Sequence, residues 1–319
     1  MTITSLRIDS SARLIGRLRL GENVYIAQGA VLRSLGDGIS LGNDTWVLEN
    51  SVLIGTLEHP LRVGSKTVFG HKCIAIGAEA GDLCEIGNGV ILLPGSHIGD
   101  RCILGEGTII PSGISIPSDS VVVGRPGRVI RKLTADDRSM LARMRGNDLS
   151  LSPGMEYIVD RTAQAAQVSH DREEEKDMGK LYEVGGKYPS VADSTFVYDT
   201  AEINGDVIIG EECEIGSGVK IIGNSHGPVR IGNRVHILEN TVLHLLPDNE
   251  LVIEDDVIIG PGCIIHGCHI GAKTEIEAGA IVCDYSRLGE GTRVLAGSLI
   301  KQRSIFKDYA ILEGFPAKE

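Results

Sequence analysis

An aliphatic side chain recurs at every sixth residue almost from the start of the chain, and this period constrains the fold more than any other feature. The series runs Ile8, Leu14, Leu20, Ile26 and Leu32. After an insertion it resumes at Leu41, Val47 and Leu53, and after a second insertion at Val63, Phe69 and Ala75. One residue is then missing, and Ala80, Ile86, Leu92, Ile98, Leu104, Ile110, Ile116 and Val122 follow. A period of six fits neither an amphipathic helix nor a two-sided strand. It fits a solenoid in which every side is a short strand pointing one aliphatic residue inward. Three sides close a coil of about eighteen residues. Successive coils then stack at strand spacing, about 4.8 Å. Composition agrees: aromatic residues are only 4% and glycine numbers 41 of 319, which suits an aliphatic interior with many tight corners. Glycine often follows the aliphatic residue, as in Leu20-Gly21, Leu41-Gly42 and Val63-Gly64. It is expected there to supply unusual backbone angles.

The second half repeats the plan. Val197, Ile203, Ile209, Ile215 and Ile221 precede an insertion, then Ile231, Ile237 and Leu243, another insertion, then Ile253, Ile259 and Ile265. One residue is again missing before Ile270, Ile276, Val282, Leu288, Val294, Ile300, Phe306 and Leu312. From Val47 against Ile237 onward the halves align at a constant offset of 190 (237 − 47). Leu48-Glu49-Asn50-Ser51-Val52-Leu53 faces Leu238-Glu239-Asn240-Thr241-Val242-Leu243, and Gly124-Arg125-Pro126-Gly127 faces Gly314-Phe315-Pro316-Ala317. The chain reads as a duplication: a first β-helix domain over 1–130, a helical connector over 131–186 and a second β-helix domain over 187–319. Within the connector, Thr134-Ala135-Asp136-Asp137 has the character of a helix start, with acidic residues in the first turn. A second helix is expected from Met155 to about Lys180.

Several function classes recede. A net charge of −12 disfavours a general nucleic-acid binder. No apolar run reaches membrane-spanning length, and Met1 to Ser11 lacks the basic-then-apolar form of a signal peptide, so membrane insertion is not expected and a cytoplasmic location is. The seven cysteines form no CxxC pair, and in that setting a disulfide framework is not expected. Cys73, Cys84, Cys102, Cys213 and Cys263 all occupy the fourth place after the aliphatic residue, where a small side chain fills the interior.

The insertions after Leu32, Leu53, Ile221 and Leu243 leave the coil at matching corners, and sites are commonly built on such loops. His244 follows Leu243 and His266 follows Ile265, three hexads apart. They therefore occupy the same position on adjacent coils, where their imidazoles become neighbours able to share one metal. Two stacked surface histidines would satisfy the same spacing.

Both halves resemble the gamma-class carbonic anhydrases and their hexapeptide-repeat relatives, over roughly 1–150 and 187–319. The resemblance rests on the hexapeptide pattern, the Gly-x-Pro-Ala-like turn that ends each half, and the segment around each Leu-Glu-Asn. It implies a left-handed parallel β-helix, assembly into a trimer or a multiple of it, and a zinc site with two histidines from one subunit and the middle one from its neighbour. In the second half His244 matches the first ligand and His266 the third, but Pro261 stands at the middle one and no arginine matches the family's. In the first half Arg33 matches that arginine and His71 the middle ligand, while Ile54 and Ile76 stand at the outer two. The family's glutamine is Leu48 in one half and Leu238 in the other, with the acids Glu49 and Glu239 beside them. Arg33, Glu49 and Glu239 are thus the candidate catalytic residues, and His71, His244 and His266 the candidate zinc ligands. No half holds three ligands. A first unit packed against a second would unite His71, His244 and His266, and carbon dioxide hydration by this chain requires such a composite site. Acyl transfer from an acyl-CoA donor is the alternative on this scaffold, with His71, His226 or His236 as general base and Arg33 or Lys301 facing phosphate or carboxylate groups. A non-catalytic assembly subunit is the third, and the aliphatic pair Ile54 and Ile76 suits it in the first half. The expected partners are further copies of the chain and, for an enzyme, a small-molecule substrate.

Overall fold

The computed structural model describes all residues except 1–5, 152–155, 162–178, 224–226 and 247. The chain divides into two compact units, Met1–His170 and Asp171–Glu319. Each is a parallel β-solenoid whose short strands line three faces, the strands inside each stack pairing with those one coil before and after.

The period-six series becomes continuous ladders. On one face of the first unit Ile26, Val47, Phe69, Ile86, Leu104 and Val122 align in turn. On the corresponding face of the second, Ile215, Ile237, Ile259, Ile276, Val294 and Leu312 do the same. All twelve are essentially inaccessible to solvent. Full burial of such a side chain contributes about 1.5–3 kcal/mol. A residue in register is therefore the unit of stability, and a one-residue slip would cost a whole ladder. The two halves end alike: Ser120–Gly124 turns back antiparallel onto Gly127–Lys132, and Ile311–Gly314 onto Ala317–Lys318.

The corners correct one expectation. Left-handed backbone falls on the third residue after the aliphatic one: at two of the corner series glycine often takes it, as at Gly29, Gly89, Gly95, Gly107 and Gly113, while at the other it falls on Asn23, Asp44, Lys66, Leu83, Arg101 and Asp119. The glycine directly after the aliphatic residue is needed for space. Ser65 donates its backbone N–H to Asp82 Oδ1 (2.6 Å), Asp82 to Asp100 Oδ1 (3.0 Å) and Asp100 to Ser118 Oγ (2.9 Å). A Cβ on Gly64 or Gly81 would collide with the carboxyl oxygen of Asp82 or Asp100 that forms this polar ladder.

The interior cysteines behave as filler. Cys73, Cys84 and Cys263 are fully buried, and each thiol donates to a backbone carbonyl one coil on, at 3.1 Å. Burial pushes the Cys73 and Cys263 thiols up to about 12. Among the described residues the seven cysteines are unlinked.

Between the solenoids one helix, Ala135–Met144, forms where the acidic start predicts it. Thr134 Oγ1 accepts from Asp137 N while Asp137 Oδ2 accepts from Thr134 N, a reciprocal cap. The helix lies on the first unit: Leu141 packs with Val121, Leu133 and Ile103. Just beyond its end, Arg145 donates to Glu85 Oε2 (2.8 Å) and to Lys66 O (2.8 Å). The second expected helix is absent at its start. Tyr157–Arg161 is instead a strand, antiparallel to the first-coil strand Arg13–Leu20. Its Tyr-Ile-Val core has β propensity, and it covers a sheet edge that would otherwise be unpaired. The acidic run Asp171–Asp177 lies outside the described residues. No helix among the described residues is long and apolar enough to cross a membrane.

Candidate functional site

In the second unit the strands Val242–Leu243 and Ile264–Ile265 pair in parallel, with Val242 against Ile264 and Leu243 against Ile265. His244 and His266 follow directly. His244 donates its backbone N–H to Ile265 O (2.9 Å) and His266 to Val282 O (2.8 Å), so the ladder holds both side chains at one corner of adjacent coils. The rings meet edge to face, centroids 6.1 Å apart and planes at 81°. Two imidazole nitrogens on one tetrahedral zinc lie about 3.3 Å apart, given Zn–N of about 2.0–2.1 Å. The two rings are within reach of that geometry.

One coil further on, Asp284 comes to this corner, and the periodicity did not single it out. Its Oδ2 lies 3.5 Å from His266 Nδ1, and its side chain is only 9% exposed. The other oxygen, Oδ1, accepts from Gly267 N (3.2 Å), Leu246 N (3.3 Å) and Asn249 Nδ2 (3.1 Å). Asn249 Nδ2 also donates to Gly267 O (2.7 Å), tying the insertion loop to the carboxyl group. Burial first, and the Asp284 charge second, push up the thiols of Cys268 and Cys283. The aligned halves did carry a signal for this residue, since Asp284 faces Pro94, and Asn249 faces His59, at the same offset as the histidines.

The donor set fits part of a zinc site. Catalytic zinc takes three protein ligands and an open position. Pro261, at the middle position, offers none. Among the described residues no group of three or more His, Cys, Asp or Glu is disposed to hold a metal ion. The second unit alone therefore offers two candidate donors, His244 and His266.

The first unit presents the same corner with different side chains. Val52, Leu53 and Ile54 align with Ile74, Ala75 and Ile76, so Ile54 stacks on Ile76 as His244 stacks on His266. Arg33 is half-buried and aligns with Ile54, which puts it in the same column. His71 is half exposed, with Nδ1 2.7 Å from Glu49 Oε2. The structure thus joins Glu49 to His71. Glu239 is fully buried and, with proline at 261, its unit has no counterpart of that pair. His236 lies on an outward strand row with Nδ1 3.4 Å from Glu214 Oε2. Lys301 is exposed at the end of the His244–His266–Cys283 column, and His226 lies outside the described residues.

Comparisons with known proteins agree with this architecture. The family model "Hexapeptide repeat of succinyl-transferase" matches residues 60–94, 97–124 and 250–283, in both units. A carbonic anhydrase of Geobacillus kaustophilus is 41% identical over 111 residues, 35% of this chain and 60% of that protein. The mitochondrial gamma carbonic anhydrase 2 of Arabidopsis thaliana is 30% identical over 172 residues, 52% of this chain and 62% of that protein. The chain thus spans about three fifths of these relatives. A hexapeptide transferase family protein from Anaplasma phagocytophilum is 34% identical, with a TM-score of 0.42 over 44% of this chain and 81% of that one. The repeats, the matched segments and the two carbonic anhydrase relatives support a gamma-carbonic-anhydrase-like hexapeptide-repeat protein with its solenoid present twice.

Proposed function

We propose that the second unit binds zinc through His244 and His266, that a third ligand comes from another copy of the chain in a trimer or a multiple of it, and that carbon dioxide hydration depends on that third ligand. The observation that carries this reading is the imidazole pair on adjacent coils with a buried carboxyl group behind one member. When bound, zinc lowers the pKa of a coordinated water to about 7 and so supplies a nucleophile at neutral pH. The chain's part is to hold the two imidazoles in register. His71, at the middle-ligand position of the first unit, is the third ligand that the sequence offers. Leu238, where the family has glutamine, has no polar atom on its side chain to orient a water, so hydration is slow. The first unit, with Ile54 stacked on Ile76, has an assembly role at its own corner.

The test compares zinc content by elemental analysis with carbon dioxide hydration by stopped flow, in the full chain and in His71→Ala, His244→Ala and His266→Ala. The reading predicts bound zinc in the wild type and its loss in His244→Ala and His266→Ala. Loss of zinc and hydration in His71→Ala as well identifies the third ligand. Retention of zinc in His71→Ala assigns the metal to the second unit's own corner and removes hydration from the reading. A wild type that neither carries nor takes up zinc overturns it, and acyl transfer from acyl-CoA, with His71 or His236 as base, becomes the activity to assay.

A further inference from the structure

We propose that Asp284 is a positioning residue for His266: its carboxyl group holds the proton on Nδ1, and so leaves the Nε2 lone pair as the face the ring offers to a ligand. As a role toward a metal this rests on the zinc reading above; as a statement about the imidazole it does not.

Three observations single out Asp284. The described residues include five histidine–carboxylate pairs: His71–Glu49, His97–Glu79, His236–Glu214, His266–Asp284 and His269–Glu254. The carboxylate side chains are 36%, 50%, 29%, 9% and 45% exposed in that order, so Asp284 alone is buried. Four of the pairs use a long, mobile glutamate, whose exchange with water makes such contacts weak. Asp284 is short, and Gly267 N, Leu246 N and Asn249 Nδ2 pin its far oxygen, so it has no freedom to swing away.

The second observation is geometric. Nδ1 of His266 is buried, and its ring is about one-third exposed. The edge facing Asp284 is thus the inner one. At 3.5 Å the pair is not hydrogen-bonded in the structure, and the buried Nδ1 has no other hydrogen-bond partner among the described residues, so a small ring rotation toward Asp284 is the move that would satisfy it.

The third observation is internal to the chain. At the offset of 190 the trio His266, Asp284 and Asn249 faces Ile76, Pro94 and His59. The duplicated corner that lacks the histidine also lacks the carboxylate. Burying a carboxyl group is costly without partners, and a corner with isoleucine in place of the imidazole has no use for one. A second ring nitrogen bound to a carboxylate is also the general way in which a ligating histidine is oriented.

The experiment uses the full chain, freed of metal with a chelator, with ¹⁵N-labelled histidine and long-range ¹H–¹⁵N correlation at a pH where the imidazoles are neutral. The proposal expects His266 in the wild type as the Nδ1–H tautomer. It expects Asp284→Ala to shift His266 toward the Nε2–H form, and Asp284→Asn, which keeps an acceptor oxygen, to restore Nδ1–H. Circular dichroism establishes that each variant is folded, and the wild-type tautomer stands as a test even where Asp284→Ala fails to fold. A wild-type His266 in the Nε2–H form overturns the proposal, as does an Asp284→Ala protein with an unchanged tautomer. Zinc affinity, measured by chelator competition, should fall about 10- to 100-fold in Asp284→Ala. A correct tautomer pattern without zinc binding fails the zinc reading and leaves the positioning role; zinc binding with an unchanged tautomer does the opposite.

Discussion

Two corners of this molecule share a backbone plan and differ in what projects from it. In the first unit Ile54 stacks on Ile76, and Pro94 follows the next residue of that column, Leu93; in the second His244 stacks on His266, and Asp284 follows the next residue of the column, Cys283. The ladder hydrogen bonds and the buried aliphatic columns are equivalent on both sides. The inward residue of each hexad sets the fold. The outward residue at a corner is free to change, and chemistry enters or leaves there without disturbing the coil.

The largest effect tests the inward half of that statement. Ile276→Asp places a charge in a fully buried ladder and should prevent the second unit from folding, at a cost of several kcal/mol, roughly 3–5. Ile86→Asp, its counterpart, should do the same to the first unit. Limited proteolysis of each variant should release the damaged unit and spare the other. A soluble, normally melting Ile276→Asp protein would contradict the ladder.

A smaller effect should separate the units. Arg145 is nearly buried against Glu85, whose carboxyl group burial pushes up and Arg145 pulls back. At the corresponding place Glu275 lies 3.6 Å from an exposed Arg293. Arg145→Ala should destabilise the first unit by about 3 kcal/mol. Arg293→Ala, which removes this contact and a 2.7 Å pair with Glu277, should cost less, about 1 kcal/mol. Equal losses by thermal melting would mean that the helix Ala135–Met144 and the turn after it add little to the first solenoid.

Exchanging the corners should cost less still. His244→Ile with His266→Ile gives the second unit the first unit's side chains, and its stability should change by no more than about 1 kcal/mol. Zinc binding should disappear. A large fall in melting temperature would show that the imidazoles carry structure as well as chemistry.

The smallest effect is one of pH. Asp119 is held down to about 2 from its ordinary 3.8, first by its hydrogen bond with Arg101 and then by Arg138 on the helix. A carboxyl group lowered on folding stabilises above its unfolded pKa and loses that contribution as pH falls through the folded one. The first unit should therefore lose stability as pH drops from about 4 to about 2. The second unit has exposed Tyr309 at this position and Gly291 opposite Arg101, so it lacks this contribution, and its own acid response comes from Asp206, Glu254, Asp255 and Asp256, which hydrogen bonds hold low. Asp119→Asn, followed by acid titration of the melting temperature, should weaken the first unit's response between about pH 4 and 2 and leave the second unit's unchanged.

The interior was legible because it is periodic. Ile237, Ile259, Ile276 and Val294 follow from a spacing of six, and they are fully buried and in register. The stacking of His244 on His266 followed from the same count. Asp284 escaped because the period imposes no residue type at its place; the alignment of the halves sets it against Pro94, and its contacts with Gly267, Leu246 and Asn249 show why that difference matters. The glycines were found but misread, since the space that a neighbouring coil's carboxyl group occupies is a three-dimensional fact. Tyr157–Arg161 was hidden for a related reason: its partner Arg13–Leu20 lies far away in sequence, and only pairing makes it a strand.

The most direct test of the contrast between the two corners is anomalous diffraction at the zinc edge from crystals of the full chain grown with zinc. The account predicts one strong peak per chain at the second unit's corner, bonded to Nε2 of His266 and to the His244 ring, and none where Ile54 stacks on Ile76. Density that is absent from the histidine corner, or bonded to His266 through Nδ1, would contradict it.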